Sequence, residues 1–243
     1  MDKSPISKGV LDVKYANERL KKPELKFRYK VRALISAQAV HKYIKKSKGL
    51  NILDFGAAEG LTILELDKLI PESKIIGIEY SQDLINEAPT LPDNVVLEKG
   101  DVTNLNNNLK KANFDIVCAL ALLEHIPDPV KCIEQAKFAL KKGGIFVATS
   151  PNPLWDKIAS ISGLLREDQH EIDMTKARMK KLPELAGLEV VYYGRFMWTP
   201  IAFLPYLNIN VSPSFALKID KFVRRLKIFN FLFVNQIIIA KKL

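Results

Sequence analysis

Two acids that each end an apolar run are the residues best placed to do chemistry. Asp54 ends the first run, and the residues after it are mostly small: Gly56, Ala57, Ala58 and Gly60. Small residues let a backbone approach a ligand closely, and the helix predicted over 60–70 offers free N–H groups at its start. Glu79 ends the next apolar run, where an acid accepts hydrogen bonds from a ribose diol. The pattern indicates nucleotide binding.

Three further segments have the same form, an apolar run followed by polar or small residues. Asp101 and Val102 follow the strand predicted over 95–99. Leu120 ends the run that begins at Phe114, and Leu-Glu-His-Ile-Pro-Asp-Pro follows at 123–129. The third segment is the strand predicted over 145–149, and Lys-Lys-Gly-Gly precedes it at 141–144.

Strands and helices alternate along the middle of the chain, which favours an α/β fold with a doubly wound parallel sheet. The predicted strands cover 51–55, 74–79, 95–99, 114–119, 145–149, 188–193 and 235–240. The predicted helices cover 60–70, 82–88, 129–140 and 173–186. Right-handed crossovers would place the loops that carry the acids together, at the carboxyl edge of the sheet.

The two ends of the chain depart from this alternation. Residues 14–46 have a helical pattern that is broken once, at Pro23. An aromatic run at 196–207 precedes a basic amphipathic stretch at 215–229, which is predicted to be helical. Such a stretch either packs on the sheet with its cations outside or lies on an anionic membrane surface.

These residues together resemble a known family, the class I S-adenosylmethionine-dependent methyltransferases. The resemblance covers about 48–153, with weaker support at 168–196, and is closest to the branch with Leu-Glu-His-(apolar)-Pro-Asp-Pro after strand four. It implies a Rossmann-like, mostly parallel seven-stranded sheet whose last strand is antiparallel beside strand six. A single domain would then comprise a helical cap at 1–48, a cofactor core at 49–195, an elaboration at 196–232 and a last strand at 233–243.

The resemblance also implies how the cofactor is held. Asp54 and the loop of Gly56, Ala57, Ala58 and Gly60 would lie by the methionine amino end, and Leu120 near the methionine portion. Glu79 would bind the ribose hydroxyls, and Tyr80 would pack on the adenine. Asp101 would accept the adenine amino group with Val102 beside it, unless it only forms a turn. Ala58 replaces the middle glycine of the family's loop, which is tolerable if its backbone stays at negative φ.

Two histidines are the candidate catalytic residues. His125 follows strand four, beside the expected position of methyl transfer, and either acts as a general base or packs at a helix start. His170 lies in the loop that borders the acceptor pocket in the resembled branch, and either faces the substrate or is solvated.

Composition and net charge limit the kinds of partner and the location that we expect. The net charge of +10 and the pI of about 9.4 favour an anionic partner, or reflect solvated helix faces. Two cysteines in apolar segments predict reduced, buried thiols in a cytoplasmic protein, and no metal-ligand pattern is present. No signal peptide is expected, and no apolar segment is long enough to span a bilayer.

The acceptor remains open between two classes. A small-molecule or lipid- or saccharide-linked acceptor is favoured, with peripheral contact to an anionic membrane. RNA or protein is the alternative within enzymes, but nucleic acid is disfavoured because no Asn-Pro-Pro-Tyr-like tetrad follows strand four.

A non-catalytic cofactor-binding protein that kept the fold is the alternative outside enzymes. A dinucleotide-dependent oxidoreductase lacks the required Gly-x-Gly-x-x-Gly spacing.

Overall fold

A computed structural model describes residues 13–46, 48–111, 113–161 and 171–243. Its centre is a seven-stranded sheet with the order β3-β2-β1-β4-β5-β7-β6. The strands are β1 (Asn51–Phe55), β2 (Lys74–Glu79), β3 (Val95–Lys99), β4 (Phe114–Leu120), β5 (Leu140–Pro151), β6 (Glu189–Trp198) and β7 (Phe233–Lys241). The first five strands are parallel, and β7 is antiparallel to both of its neighbours. The predicted fold class is confirmed.

Chain order reverses between β1 and β4, which lie side by side in the sheet. The loops that leave these two strands therefore diverge and leave a crevice between them, the usual ligand position in an open α/β sheet. These are the loops that carry Gly56–Gly60 and Leu122–His125.

Helices cover both faces of the sheet. They are α1 (Val13–Lys21), α2 (Pro23–Tyr43), α3 (Leu61–Leu69), α4 (Gln82–Asn86), α5 (Asn107–Lys111), α6 (Pro129–Ala139), α7 (Pro153–Ile161), α8 (Lys176–Leu185), α9 (Thr199–Ala202) and α10 (Pro213–Val223). Pro23 is the first residue of α2, where its missing N–H costs nothing. The predicted break in the N-terminal helical segment thus becomes a helix boundary.

Alternate side chains of the central strands supply two separate cores. Ile52 and Ile116 face one core together with α2, α3 and α10. Leu53 and Val117 face the other, against α5, α6 and α8. Because β-strand side chains alternate with a period of two and both faces are covered, these strands are apolar throughout.

Several predicted boundaries were wrong. β5 begins at Leu140, because the chain pairs with β4 through a register shift before the predicted start. β6 continues to Trp198 and so includes the first residues of the aromatic run. α5 was not predicted. The basic helix ends at Val223 and is followed by a 3-10 turn over Arg224–Leu226, after which Lys227 has φ +40°.

The elaboration between β6 and β7 is joined to the sheet by a buried acid. Asp220 of α10 accepts hydrogen bonds from the backbone N–H groups of Met197 (2.7 Å) and Trp198 (2.9 Å). Met197 has φ +63°, so the carboxylate stabilises an unusual backbone conformation at the end of β6. The exposed cations and aromatic residues of α10 lie on the other side of the helix from Asp220.

Among the described helices, none is long and apolar enough to cross a membrane. Cys118 and Cys132 are buried and free, as predicted, and burial raises the pKa of both thiols.

Candidate active site

The loop after β1 has the tight geometry that its small residues predict. Gly56 has φ +69°, and a side-chain carbon there would lie 2.6 Å from Cδ1 of Leu122. A side chain at Gly56 would therefore be strained by the positive φ, and Leu122 of the strand-four loop would have to move aside to make room for it. Gly60 (φ +86°) precedes α3 directly.

Ala58 differs from the expectation of a negative φ. Its φ is +50°, in the left-handed region, which costs a residue with a side chain about 1–2 kcal/mol. The methyl group is buried beside Ala16 of α1 and Leu84 of α4. A hydrogen bond from the Ala58 N–H to Glu79 Oε2 (2.9 Å) holds the strained residue in place.

Glu79 connects two of the loops at the carboxyl edge. Besides Ala58, its carboxylate accepts the N–H of Ser81 through Oε1 (2.9 Å), and the side chain is buried. Each carboxylate oxygen retains a second lone pair that a ribose hydroxyl can use. Tyr80, the next residue, is 63% exposed, as expected of an aromatic ring that packs on a bound base.

Asp101 forms the turn that was the alternative to a binding role. Its Oδ1 accepts hydrogen bonds from the backbone N–H and the hydroxyl of Thr103, both at 2.7 Å. The side chain is exposed, and Val102 beside it is buried. The turn orients the carboxylate at the edge of the sheet, and adenine recognition stays a prediction.

Asp54 is a buried acid with an unsatisfied acceptor. It is 2% exposed, and its Oδ1 has no hydrogen-bond partner among the described residues. Burial raises the pKa of this carboxyl to about 8, while nearby Arg19 opposes the shift and Glu79 adds to it. An uncompensated buried carboxylate is costly, and a bound cation would relieve that cost.

The helical cap supplies three arginines that sequence reasoning did not select as site residues. Arg19 of α1 forms a buried ion pair with Glu59 Oε2 (3.1 Å) in the small-residue loop and donates to Thr62 Oγ1 (2.9 Å). The cap is thereby fixed to the loop through charge-assisted hydrogen bonds, which are among the stronger ones.

Arg28 and Arg32 are one helical turn apart on α2, and both are partly buried. Arg28 donates to the hydroxyl of Tyr206 at 2.6 Å. Nε of Arg32 is inaccessible to solvent and has no hydrogen-bond partner within the described ranges. Burial lowers the pKa of Arg32, and Glu124 lies close enough to oppose that shift. These two arginines are therefore not on a fully solvated helix face, which was one of the two readings of the positive net charge. Their spacing of four was the available signal.

The strand-four loop is short and ordered. Leu120 is half-buried at the end of β4, and His125 is half-buried at the end of a 3-10 turn over Leu123–His125. Asp128 then caps α6 through the N–H of Lys131 (3.1 Å), with Pro129 at the first helical position. The Pro-Asp-Pro part of the motif is thus explained by helix initiation, which leaves His125 as the residue of chemical interest.

His170 lies outside the described residues. Glu171 and Ile172 donate their N–H groups to the carbonyl oxygen of Glu124, at 2.8 Å and 3.2 Å. The chain that follows His170 therefore contacts the loop of His125.

A cavity of about 560 Å³ opens elsewhere, between the start of α6 and α8. Of the residues predicted to bind cofactor or to act in catalysis, none of those that the structure describes lines it. Within the described residues, no group of three His, Cys, Asp or Glu side chains is arranged to hold a metal ion.

Comparisons with known proteins agree with the fold. Residues 46–195 match the family model described as "Methyltransferase domain". An uncharacterized methyltransferase of Schizosaccharomyces pombe is 33% identical over 112 residues, which are 42% of this chain and 40% of that protein. A ubiquinone biosynthesis O-methyltransferase of Coxiella burnetii is 32% identical over 116 residues, 44% of this chain and 48% of that protein. The chain thus matches less than half the length of these relatives.

Solved structures show the same fold at lower identity. A SAM-dependent methyltransferase from Archaeoglobus fulgidus is 23% identical, with a TM-score of 0.61 over 95% of this chain and 100% of that one. Phosphoethanolamine N-methyltransferase 2 from Haemonchus contortus, in complex with S-adenosyl-L-methionine, is 15% identical, with a TM-score of 0.60 over 96% of this chain and 60% of that one.

The chain therefore belongs to the methyltransferase-domain family. By family and fold its class is that of the S-adenosylmethionine-dependent methyltransferases, with S-adenosylmethionine as cofactor.

The site fits this cofactor on the evidence of its own unsatisfied groups. The methionine end of S-adenosylmethionine carries an ammonium and a carboxylate. Asp54 offers a buried, unsatisfied acceptor, and Arg32 offers a buried, unsatisfied donor. Both lie within electrostatic range of Arg19. A carboxyl group and a guanidinium, each with one buried unsatisfied atom, are therefore available for the ammonium and the carboxylate of an amino acid.

Proposed function

We propose that this chain transfers a methyl group from S-adenosylmethionine to a small-molecule or lipid- or saccharide-linked acceptor. The observation that carries the proposal is a pair of unsatisfied buried atoms, on Asp54 and Arg32, which both lie within electrostatic range of Arg19. Arg19 in turn pairs with Glu59 of the loop after β1. Asp54 would bind the ammonium and Arg32 the carboxylate. Glu79 would bind the ribose hydroxyls, Tyr80 would cover the adenine, and Asp101 would accept its amino group.

When bound, the cofactor would supply a methyl group on a sulfonium, with the thioether S-adenosylhomocysteine as the leaving group when the acceptor atom bonds to the methyl carbon in line. The protein's contribution is to hold donor and acceptor aligned and dry, and orientation alone supplies roughly 7–11 kcal/mol of barrier reduction. The Arg19–Glu59 ion pair would hold the helical cap over the crevice and so exclude water. His125 would take the proton of a hydroxyl or ammonium acceptor, since it follows the strand that ends at the crevice.

The acceptor side of the proposal rests on the aromatic elaboration. Phe203 stacks on Tyr206 with ring centroids 5.3 Å apart and also contacts Trp155 of α7 at 6.3 Å. Arg28 joins this row to α2 through Tyr206. A row of aromatic rings suits a planar or apolar acceptor. The Coxiella burnetii relative is an O-methyltransferase of ubiquinone biosynthesis, which favours a hydroxyl acceptor here. A cytoplasmic, membrane-peripheral location belongs to the same proposal.

The test has a binding step and a turnover step. Calorimetric titration should give micromolar binding of S-adenosylmethionine and S-adenosylhomocysteine and none of NAD. Transfer of a radiolabelled methyl group is then measured with phenolic quinone precursors, lipid extracts, saccharide-linked lipids and RNA. Labelling of RNA alone would overturn the proposed acceptor class. Cofactor binding with no labelled acceptor in any of these pools would favour a non-catalytic cofactor-binding protein instead.

The catalytic histidines are tested by splitting binding from turnover. His125→Ala should leave the Kd for S-adenosylmethionine within about twofold and lower kcat by at least tenfold, because general acid–base catalysis contributes about 10²–10⁴. His170→Ala should do the same if it faces the acceptor. His41→Ala, at the far end of α2, is the matched control. Unchanged kcat in His125→Ala would make that residue structural.

A further inference from the structure

The elaboration exposes an outer surface that the proposed chemistry does not use. We name it the outer face; its apolar members are Leu207, Phe215, Phe222, Leu226, Ile228 and Phe231, all exposed. Phe222 is 60% exposed and Ile228 is 72% exposed. Most of the large apolar side chains that the described structure exposes lie here or on the adjacent α7. A grouping of this kind is uncommon on a monomer and usually marks an interaction site.

The geometry of α10 shows that its exposed aromatic residues are not part of the core. The helix buries Ala216, Leu217 and Val223 against α2 and β6. Phe215 and Phe222 are seven residues apart and therefore share the opposite side of the helix. The helix thus has two apolar sides, and folding of the described chain covers only one of them.

α7 extends the outer face. The indole N–H of Trp155 donates to the carbonyl oxygen of Phe231 at 2.9 Å, which joins this helix to the turn before β7. Leu154 and Ile158 are exposed and four residues apart, so they lie on one side of α7. Trp155 thus joins α7 both to the turn that holds Phe231 and, through Phe203, to the aromatic row.

The charged side chains of the elaboration are as unevenly distributed as its apolar ones. Between residues 196 and 232 the only acid is Asp220, which is fully buried under α10. Four cations of the same segment are exposed: Lys218, Lys221, Arg225 and Lys227. The exposed side chains of the elaboration therefore carry positive charge and no compensating carboxylate.

We propose that the outer face docks this protein on an anionic lipid bilayer, with the aromatic and aliphatic side chains at the level of the headgroups. Interspersed cations and large apolar residues on one side of a helix match that environment, in which apolar burial and attraction to anionic lipids add. A protein partner would need one matching acidic and apolar surface, whereas a bilayer supplies both over any area. The inference rests on the proposed function and narrows it to an acceptor that is itself held in the membrane.

Docking also has a consequence for the site. The inner side of the same elaboration carries Phe203 and Tyr206, and Tyr206 contacts Arg28 of the helical cap. Leu207 of the outer face directly follows Tyr206 in the chain, so a membrane that covers the outer face would lie beside the row expected to hold the acceptor. An apolar acceptor would reach that row without crossing water.

The first test is co-sedimentation of the full chain with vesicles of phosphatidylcholine alone and of phosphatidylcholine mixed with phosphatidylglycerol. Binding to the mixed vesicles and a steep loss with added salt are expected. Removing both aromatic residues in Phe215→Ser/Phe222→Ser should weaken binding by about tenfold for each ring. Phe138→Ser is the matched control, since Phe138 is similarly exposed on α6 at the opposite face of the sheet. It should bind as the wild type does.

The charge component is tested separately. The triple variant Lys218→Gln/Lys221→Gln/Arg225→Gln should bind mixed vesicles on the order of 100-fold more weakly, at about fivefold for each cation. Its control removes three exposed lysines from α6 and α8: Lys131→Gln/Lys180→Gln/Lys181→Gln. An equal loss in both triple variants would show that only net charge matters and would overturn the outer face as a docking surface.

Calorimetry with S-adenosylmethionine separates this proposal from the proposed function, because every variant above leaves the cofactor residues intact. Cofactor binding with no vesicle binding overturns the docking proposal alone. Vesicle binding without cofactor binding overturns the proposed function alone. A concentration-dependent mass in sedimentation velocity that Phe215→Ser/Phe222→Ser abolishes would show that the outer face joins two copies of the chain, and would likewise overturn docking.

Discussion

Glu79 gives the sharpest test of the cofactor site, because it has one task that the structure shows and a second that we propose, and both are measurable. Its carboxylate accepts two backbone hydrogen bonds, from Ala58 and Ser81, both at 2.9 Å. It is also the residue expected to hold the ribose. Glu79→Ala should therefore lower both the stability of the free protein and its affinity for S-adenosylmethionine. The two losses are separable because only the first appears without ligand.

The expected stability loss follows from the two hydrogen bonds. A hydrogen bond to a charged group contributes about 1.5–3 kcal/mol. The bond to Ala58 is buried and is lost in full, whereas water can replace part of the bond to Ser81, so we expect a loss of about 3 kcal/mol. For a chain of this length the melting temperature should fall by roughly 6–12 °C. Differential scanning calorimetry of the free protein measures it.

The affinity loss is read from calorimetric titration at a temperature where both proteins are folded. Loss of the hydrogen bonds to the ribose should raise the Kd by about 10- to 150-fold. Glu79→Gln retains one acceptor oxygen and should lose less stability, yet still bind more weakly, since the charge is gone. Glu87→Ala, exposed at the end of α4, should change neither quantity. A folded Glu79→Ala protein with wild-type affinity would refute the assignment of Glu79 to the site.

Three other predictions concern buried charges. Burial holds the Asp54 pKa at about 8, above its ordinary 3.8, so the folded protein keeps a proton that the unfolded chain releases, and stability should fall as pH rises through that window. In urea unfolding between pH 5 and 8, Asp54→Asn should reduce the fall in the free energy of unfolding with rising pH, and it should also weaken S-adenosylmethionine binding. An unchanged pH dependence of that free energy would contradict the raised pKa of Asp54. Arg32→Gln should raise the Kd by about tenfold or more, whereas Arg28→Gln, whose partner is Tyr206, should barely change it. Equal effects in titration would argue against a cofactor carboxylate at Arg32. Asp220→Ala should release α10 from β6 and expose the elaboration to limited proteolysis, with a loss of about 2–4 kcal/mol; unaltered cleavage would show that the apolar contacts suffice.

The parts of the site that lie at strand ends were predictable from the sequence. Asp54, Glu79 and Asp101 each follow an apolar run, and the parallel topology brings the ends of such runs to one edge. Hydrophobic periodicity and turn residues, both local signals, fixed these positions. The same signals gave the ranges of β1, β2 and β3 as the structure has them.

Contacts between distant segments were not predictable in this way. Arg19 contacts Glu59 across 40 positions, and no local pattern distinguishes it from the solvated lysines around it. β5 begins earlier than expected because pairing of Leu140 with Phe114 outweighs the glycine pair that follows. α10 is shorter than the amphipathic pattern because Asp220 fixes its position on β6, and the chain then has to turn back toward β7.

The candidate site has two halves, the residues expected to hold the cofactor and the aromatic row, and different parts of the fold support them. The residues expected to hold the cofactor are fixed by the sheet itself: Glu79 holds the loop after β1, and Gly56 is locked by Leu122 from the adjacent loop. The aromatic row instead depends on one insertion, attached to β6 through Asp220 and to the cap through the contact between Arg28 and Tyr206. Substitutions at exposed positions of 199–232 are therefore expected to spare the cofactor loop, whereas substitutions at Ala216 or Leu217 are not, because these two side chains share a core with β1 and α2. The outer face and the aromatic row belong to this same insertion, so we expect a change in one to alter the other.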